Sequence, residues 1–283
     1  MYIEAEGFSE AYHKLCCYVI NNGVASSPRG METNEVIGGI VRVKNPRTRI
    51  INNFERKLSI PFAIGEWLWC MQGRDDLEMI QYYAPSYGQY SDNGKTLNGA
   101  YGPRILPNLK KIIGLLQSDE YSRRAVVPIY KEHDVGLNSR DIPCTLDFQF
   151  LVRENCLHMI VNMRSNDIFL GFPYDIFNFS MFQEYISTIL HLELGEYVHM
   201  VGSFHYYKKN KEKLLKMIEC CYKEELMEPM SAFELENQLE KMYTIERCIR
   251  NNQKYDSMLN SYFKFFEEKL LAYHKLKSKR GML

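Results

Sequence analysis

The sequence predicts an α+β protein with a mixed helix-and-strand region over residues 1–209 and a helical C-terminal region over 210–283 packed on it. Two observations carry this. Up to 209, stretches with apolar residues every three or four positions alternate with short β-branched and aromatic runs bounded by Gly, Pro and Asn. Beyond 210, Lys, Glu, Leu, Met and Asn dominate at helical spacing, with Pro229 the one proline. A hydrophobic content of 46% over 283 residues supplies material for a sizeable core.

The elements follow in order. "FSEAYHKLCCYVINNG" (8–23) reads as a helix that Ser9 caps and Gly23 ends. "NEVIGGIVRVKNP" (34–46) is a strand closed by Asn-Pro, and "SIPFAIGEWLWCMQG" (59–73) a buried helix with one acid, Glu66. A loop rich in Tyr, Ser, Asn and Gly is expected over 82–103, before a helix over 106–118. Strands are expected over 123–130, 144–152, 156–165 and 196–209, with a long, largely buried helix over 175–193.

Charge and composition narrow the function. The 35 basic and 35 acidic residues cancel, so nothing implies a bulk electrostatic grip on nucleic acid. Any anion has to be held locally, by a few placed arginines. The N-terminal "MYIEAEGFSEAYHKL" lacks signal-peptide order, and no apolar run reaches membrane-spanning length. Cysteines 16–17 and 220–221 are adjacent pairs and no CxxC spacing occurs, so neither a disulfide framework nor a metal site is expected. The expected setting is a reducing cytoplasm.

One stretch, "MRSNDIFLGFPYDIFNFSMF" (163–182), interrupts core material with Arg164, Asp167 and Asp175. It reads either as a solvated turn before a helix capped by Asp175, or as a site gripping an anion and a polar heterocycle. Cys144, after Pro143 at the start of a strand, is a second candidate. A lone cysteine is more often structural, and a nucleophilic thiol needs positive surroundings to favour the thiolate. Arg123, Arg124 and Arg164 stand at the ends of neighbouring strand candidates, and arginine forks suit phosphate oxygens.

The order of "SRRAVV", "IPCTLDFQF", "MRSNDIFLGFPYDI" and "GSFHYY" closely resembles the thymidylate synthase superfamily. So do "GEWLWCMQG", like its glutamate-bearing helix, and "NGAYGPRI", like its Tyr-Gly loop; the likeness spans about residues 8–209. It implies a three-layer sandwich with mixed sheets packed across a homodimer interface. Cys144 would attack C6 of a pyrimidine nucleoside monophosphate and make C5 nucleophilic. Arg29, Arg164, Ser165 and the pair Arg123 and Arg124, given across the interface, would hold the phosphate. His205 and Tyr207 would bind the sugar, while Glu66 and Tyr101 would organise water and proton transfers. Asp167, Leu170, Gly171 and Tyr174 would line the site for 5,10-methylenetetrahydrofolate.

The departures from that family refine the expectation. Its methylating members carry asparagine eight residues after the turn aspartate, where this chain has Asp175. A carboxamide pairs with N3–H and O4 of uracil, whereas a carboxylate accepts from the cytosine N4 amine; a proton shared with N3 completes a second bond. Asp175 therefore predicts a cytidylate, CMP or dCMP. The methylating members also have a Trp-Asp-x-Trp loop, whereas the tryptophans here are Trp67 and Trp69, and Tyr87 and Tyr90 occupy the corresponding stretch. Less indole shielding favours water over hydride as the group that completes the exocyclic carbon. The expectation is a cytidylate 5-hydroxymethyltransferase. The alternatives are a uridylate methylase and a catalytically silent nucleotide-binding homologue. Residues 210–283 are helical where the family ends in a strand and a short tail, and Thr145 stands where many relatives have histidine.

Overall fold

The computed structural model describes residues 1–53, 55–56 and 58–281. Its backbone runs β1 (Tyr2–Ala5), α1 (Phe8–Asn22), β2 (Val24–Ser26), β3 (Thr33–Val43), β4 (Asn52–Asn53), α2 (Ile60–Met71), α3 (Leu77–Tyr83) and α4 (Gly102–Ser118). It continues through β5 (Val126–Pro128), β6 (Thr145–Arg153), β7 (Cys156–Met163), β8 (Asn166–Asp167), α5 (Phe172–Ile189) and β9 (Glu193–Tyr207). It ends with α6 (Lys211–Glu219), β10 (Tyr222–Lys223), α7 (Leu235–Arg250) and α8 (Ser261–Lys279). The chain folds into two compact units interleaved in sequence. Met1–Leu58, Pro107–Gly136 and Pro143–Met227 make the first; Ser59–Leu106, Leu137–Ile142 and Glu228–Leu283 make the second. The composition change near 210 is thus not where the chain passes from one unit to the other.

The first unit holds a mixed sheet in the order β1-β3-β9-β7-β6-β5, with β2 added to β3 and β8 to β9. β1 on β3, β7 on β9 and β8 on β9 are parallel, and the remaining pairs in it are antiparallel. β6 and β7 alternate buried and less buried residues, as a strand with one face in the core requires. Phe148 of β6 meets Phe179 of α5 with ring centres 4.7 Å apart, and Phe182 packs beside them. In β9 the alternation slips: Tyr197, His199 and Val201 are buried, then Phe204 and Tyr206. Gly202 lies at the slip, where a side chain would press to 2.8 Å from the Arg164 carbonyl oxygen. Glycine there lets the 164–167 turn lie against the strand.

Several sequence expectations need correction here. Ser9 does not cap α1; Gly7 is the N-cap residue, and its side-chain-free position is served from far away. Thr48 Oγ1 accepts from Phe8 N at 3.0 Å, and the Glu224 carboxylate accepts from Ser9 N and Glu10 N. A carboxylate at a helix N-terminus satisfies orphan donors and complements the dipole, but its sequence distance hides it from a local motif. β5 spans three residues, fewer than expected over 123–130, and α5 starts at Phe172, three residues before Asp175.

In the second unit Ser59 caps α2 by accepting from Phe62 N, and Trp67 meets Phe266 of α8 edge to face at 5.9 Å. Gly65 lets α2 approach α3, because a Cβ there would fall 2.5 Å from the Tyr83 ring. The expected 82–103 loop is more ordered than its composition suggests. α3 reaches into it at Tyr83, a 3-10 turn covers Pro85–Tyr90, and α4 begins at Gly102. Seven residues with two adjacent tyrosines give α3 too short a period to stand out; Asp76, which accepts from Met79 N, is its start signal. No helix among the described residues is long and apolar enough to cross a membrane.

Candidate active site

The first unit gathers the motif residues where β6 begins and β7, β8 and β9 run past one another. Cys144, half-buried, immediately precedes β6. Arg164, just beyond β7, donates from its backbone N to Cys144 O at 2.8 Å and from Nε to Pro143 O at 3.0 Å. The guanidinium is thereby oriented by the Pro-Cys backbone that carries the thiol. Ser165 Oγ lies 3.4 Å from His205 Nδ1, and β8 pairs Asp167 with His205 in register. Cys144, Arg164, Ser165, Asp167 and His205 thus come from the ends of four strands, β6 to β9, into one neighbourhood of the unit.

Asp167 is held as a turn residue and left half-satisfied. Its Oδ1 accepts from Phe169 N at 2.7 Å and Leu170 N at 3.0 Å. Its Oδ2 is buried and meets no hydrogen-bond donor among the described residues. Burial raises the Asp167 pKa above the usual carboxylate value, opposed by those two N–H groups and by His205 and Arg56. Arg56 is a residue the sequence reading missed. Its guanidinium sits 4.9 Å over the Phe169 ring and 5.7 Å from the Tyr174 ring, and Nη2 donates to Phe169 O. Only its cationic character, within "NNFERKL", could have marked it.

Asp175 is not the helix cap. Gly171 is the N-cap residue of α5, and Asp175 lies in the first turn with Oδ2 accepting from Asn166 Nδ2 at 2.7 Å. A Cβ on Gly171 would come within 3.1 Å of that Nδ2 and 3.2 Å of that Oδ2, so glycine leaves room for the link. Asn166 Oδ1 is 3.1 Å from His199 Nε2, and His199 Nδ1 is 2.8 Å from Tyr197 Oη. Burial pushes the His199 pKa down to about 3, so the ring is neutral. Asn166, His199 and Tyr197 were also missed. Asn166 occupies the variable place of the Arg-Ser-x-Asp turn, and the two others read as ordinary strand residues.

The other phosphate and sugar candidates stand apart on separate loops or at the strand end. Arg29 is exposed in the turn Pro28–Gly30 with a left-handed φ of 52°. Arg123 and Arg124 are exposed ahead of β5, and Arg123 O accepts from Gln149 Nε2. Tyr207 stacks edge-on to His205 at 5.6 Å, and Leu170 is exposed on the turn before α5.

The second unit holds Glu66, Tyr87 and Tyr101. Tyr87 Oη donates to Glu66 Oε1 at 2.5 Å, and its ring packs edge to face on Phe62 and Tyr90. A tyrosine therefore reaches the helix acid from the stretch where an indole was missed. Tyr101 precedes α4, its carbonyl accepting from Arg104 N and Ile105 N. Gly102 follows because a Cβ there would fall 2.6 Å from the Cys70 carbonyl oxygen. Asp141 Oδ2 accepts from Gly99 N at 2.7 Å and its carbonyl from Asn98 Nδ2, fixing the approach to Tyr101.

Residues 10–258 match the thymidylate synthase family. A deoxyuridylate hydroxymethyltransferase of Bacillus phage SP01 is 29% identical over 217 residues, covering 70% of this chain and 57% of the phage protein. A second deoxyuridylate hydroxymethyltransferase, from Delftia phage PhiW-14, is 32% identical over 61% of this chain and 52% of its own length. The thymidylate synthase of Bacillus phage phi3T is 24% identical over 73% of this chain and 82% of its own. The chain thus spans little more than half the length of the two hydroxymethyltransferases.

Proposed function

The chain belongs to the thymidylate synthase family, and from that premise we propose that it is a 5-hydroxymethyltransferase acting on a cytidylate, CMP or dCMP. The observation that carries the reading is Asp175: a carboxylate, outside any capping role, whose second oxygen is held by the Asn166 amide. A carboxylate accepts from the cytosine amine and faces the O4 acceptor of uracil unfavourably.

In this reading Cys144 adds to C6, breaking ring conjugation so that C5 becomes the nucleophile. Arg164, Ser165, Arg29 and, from a second copy in a homodimer, Arg123 and Arg124 hold the phosphate. That remote grip fixes C6 against sulfur. His205 and Tyr207 bind the sugar. Glu66, with Tyr87 on its carboxylate, and Tyr101 manage the proton at C5 and the entering water. The polar Tyr87–Glu66 contact, in place of an indole, supports water as the group that completes the exocyclic carbon.

The residues present suit a reduced folate. Asp167 Oδ2 is a buried acceptor without a donor among the described residues, which a pterin N–H would supply, and Leu170, Gly171 and Tyr174 offer the adjoining surface. When bound, 5,10-methylenetetrahydrofolate supplies the one-carbon unit and leaves as tetrahydrofolate, unoxidised. The place of action is the cytoplasm.

The names of the phage relatives favour a second reading, a deoxyuridylate as the acceptor. One assay tests both. CMP, dCMP, UMP and dUMP are each incubated with the folate and the products read by mass. A hydroxymethyl product from a cytidylate supports the proposal; a product from uridylates alone supports the second reading; a methyl product refutes hydroxymethylation.

A further inference from the structure

Asp175 is the end of a chain of four groups, and the donors along it can be counted. Tyr197 and His199 are wholly buried, and Asn166 is nearly so. The rings of Phe172, Tyr197 and Phe204 surround the His199 imidazole at 5.2 Å, 5.8 Å and 6.1 Å, so aromatic carbon lies against its faces and edge. Burial together with the nearby Asp175 keeps the Tyr197 phenol protonated, and burial keeps His199 neutral. Each link therefore has one proton to place.

Two arrangements satisfy every link. In the first, Tyr197 Oη–H donates to His199 Nδ1, the imidazole proton sits on Nε2 and donates to Asn166 Oδ1, and the amide NH2 donates to Asp175. Asp175 is then a carboxylate. In the second, His199 Nδ1–H donates to Tyr197, the Asn166 amide is reversed, and Asp175 must carry a proton to donate to the amide oxygen. The first-turn position on α5 decides between them, because the positive end of a helix dipole favours the anion. We infer that Asn166 and His199 are positioning residues that hold Asp175 as a hydrogen-bond acceptor and so set which pyrimidine the site takes. This rests on the proposal that Asp175 reads the base. An unprotonated Asp175 offers acceptors only, which suits the cytosine N4 amine and disfavours the uracil O4. As sulfur adds at C6, N3 takes up a proton from water, and the Asp175 carboxylate accepts the N3–H so formed.

The inference is tested first without substrate. Nitrogen-15 NMR of the full chain, with His199 assigned through His199→Gln, should show a neutral Nε2–H tautomer unchanged from pH ~5.5 to ~8. An Nδ1–H tautomer would overturn the inference, and this measurement needs no variant to be active. Next, Asn166→Leu and His199→Phe should each lower the ratio of kcat/KM for cytidylate over uridylate by roughly tenfold or more. His199→Gln, whose amide can still donate to Asn166, should restore much of the ratio. Phe172→Leu, which loosens the packing on the His199 ring but removes no polar group of the chain, should lower stability and leave the ratio alone. If Asp175→Asn moves the ratio but Asn166→Leu and His199→Phe do not, the relay is refuted and the base-reading proposal stands. If Asp175→Asn leaves it unmoved, the base-reading proposal fails and the inference with it.

Discussion

Glu246 in α7 and Asp167 in the turn before α5 both place carboxylate oxygens out of water, and their partners differ. Glu246 Oε1 accepts from Tyr83 Oη at 2.8 Å and from Arg250 Nε at 3.0 Å, while Arg250 Nη1 reaches Glu78 at 2.8 Å. That network joins α3 and α7, two helices of the second unit, and neutralises its buried charge. Asp167 has one oxygen saturated by backbone N–H groups and the other buried without a donor among the described residues. A completed network specifies a fold, whereas a buried acceptor left open is a cost the fold carries until a ligand brings the donor. Residues of the first kind should govern stability, and those of the second kind turnover.

The largest expected effect on the working side is at the thiol. Cys144→Ala should abolish turnover while nucleotide binding and melting temperature stay near wild type. Cys156→Ala, at the start of β7, should remain active and serves as the control. Retained turnover in the Cys144 variant would show that the nucleophile is misassigned.

On the structural side, Glu246→Ala leaves Arg250 and Tyr83 without their shared acceptor. Breaking a buried ion pair costs about 3–5 kcal/mol, to be read by denaturant unfolding. The base preference of whatever fraction folds should be unchanged. A loss under about 1 kcal/mol would mean that the network is not a structural staple.

How much of this was legible in the sequence follows the same division. The Arg-Ser-x-Asp turn, the Pro-Cys pair and the Gly-x-x-His-x-Tyr strand could be read because they resemble motifs of the thymidylate synthase family, to which the chain belongs. The cap of α1 by Glu224 could not, because no local spacing links residues over 200 positions apart. Asn166 and His199 were missed for a related reason: each looks ordinary in its strand, and only the slip at Gly202 and the β8–β9 pairing bring them into line. α3 was lost because seven residues are too few for a period to declare itself.

Arg164→Ala should weaken nucleoside monophosphate binding and barely affect the nucleoside. A charge-assisted phosphate contact is worth roughly 1.5–3 kcal/mol, or about tenfold or more in affinity by calorimetry. Equal losses for both ligands would mark Arg164, tied as it is to Pro143 O, as structural.

The smallest effect concerns the cost carried by Asp167. Its folded pKa is raised by burial, so the folded state binds the proton more tightly than the unfolded chain. Stability contributed at low pH is therefore lost as pH rises through the raised value. Asp167→Asn should remove that loss, giving a slightly higher melting temperature at neutral pH and a flatter pH profile. The same variant should bind the folate more weakly. A lower melting temperature at neutral pH would contradict the open-acceptor reading.

The central claim is that Asp175 selects the base, and one measurement addresses it most directly: the ratio of kcat/KM for cytidylate over uridylate in the wild type and in Asp175→Asn. The substitution reverses hydrogen-bond polarity at nearly constant volume. A mismatched buried polar pair costs about 1–3 kcal/mol per unsatisfied group. The wild type is predicted to prefer the cytidylate, with the preference collapsing or passing to the uridylate in the variant. A ratio unchanged by the substitution would contradict the claim.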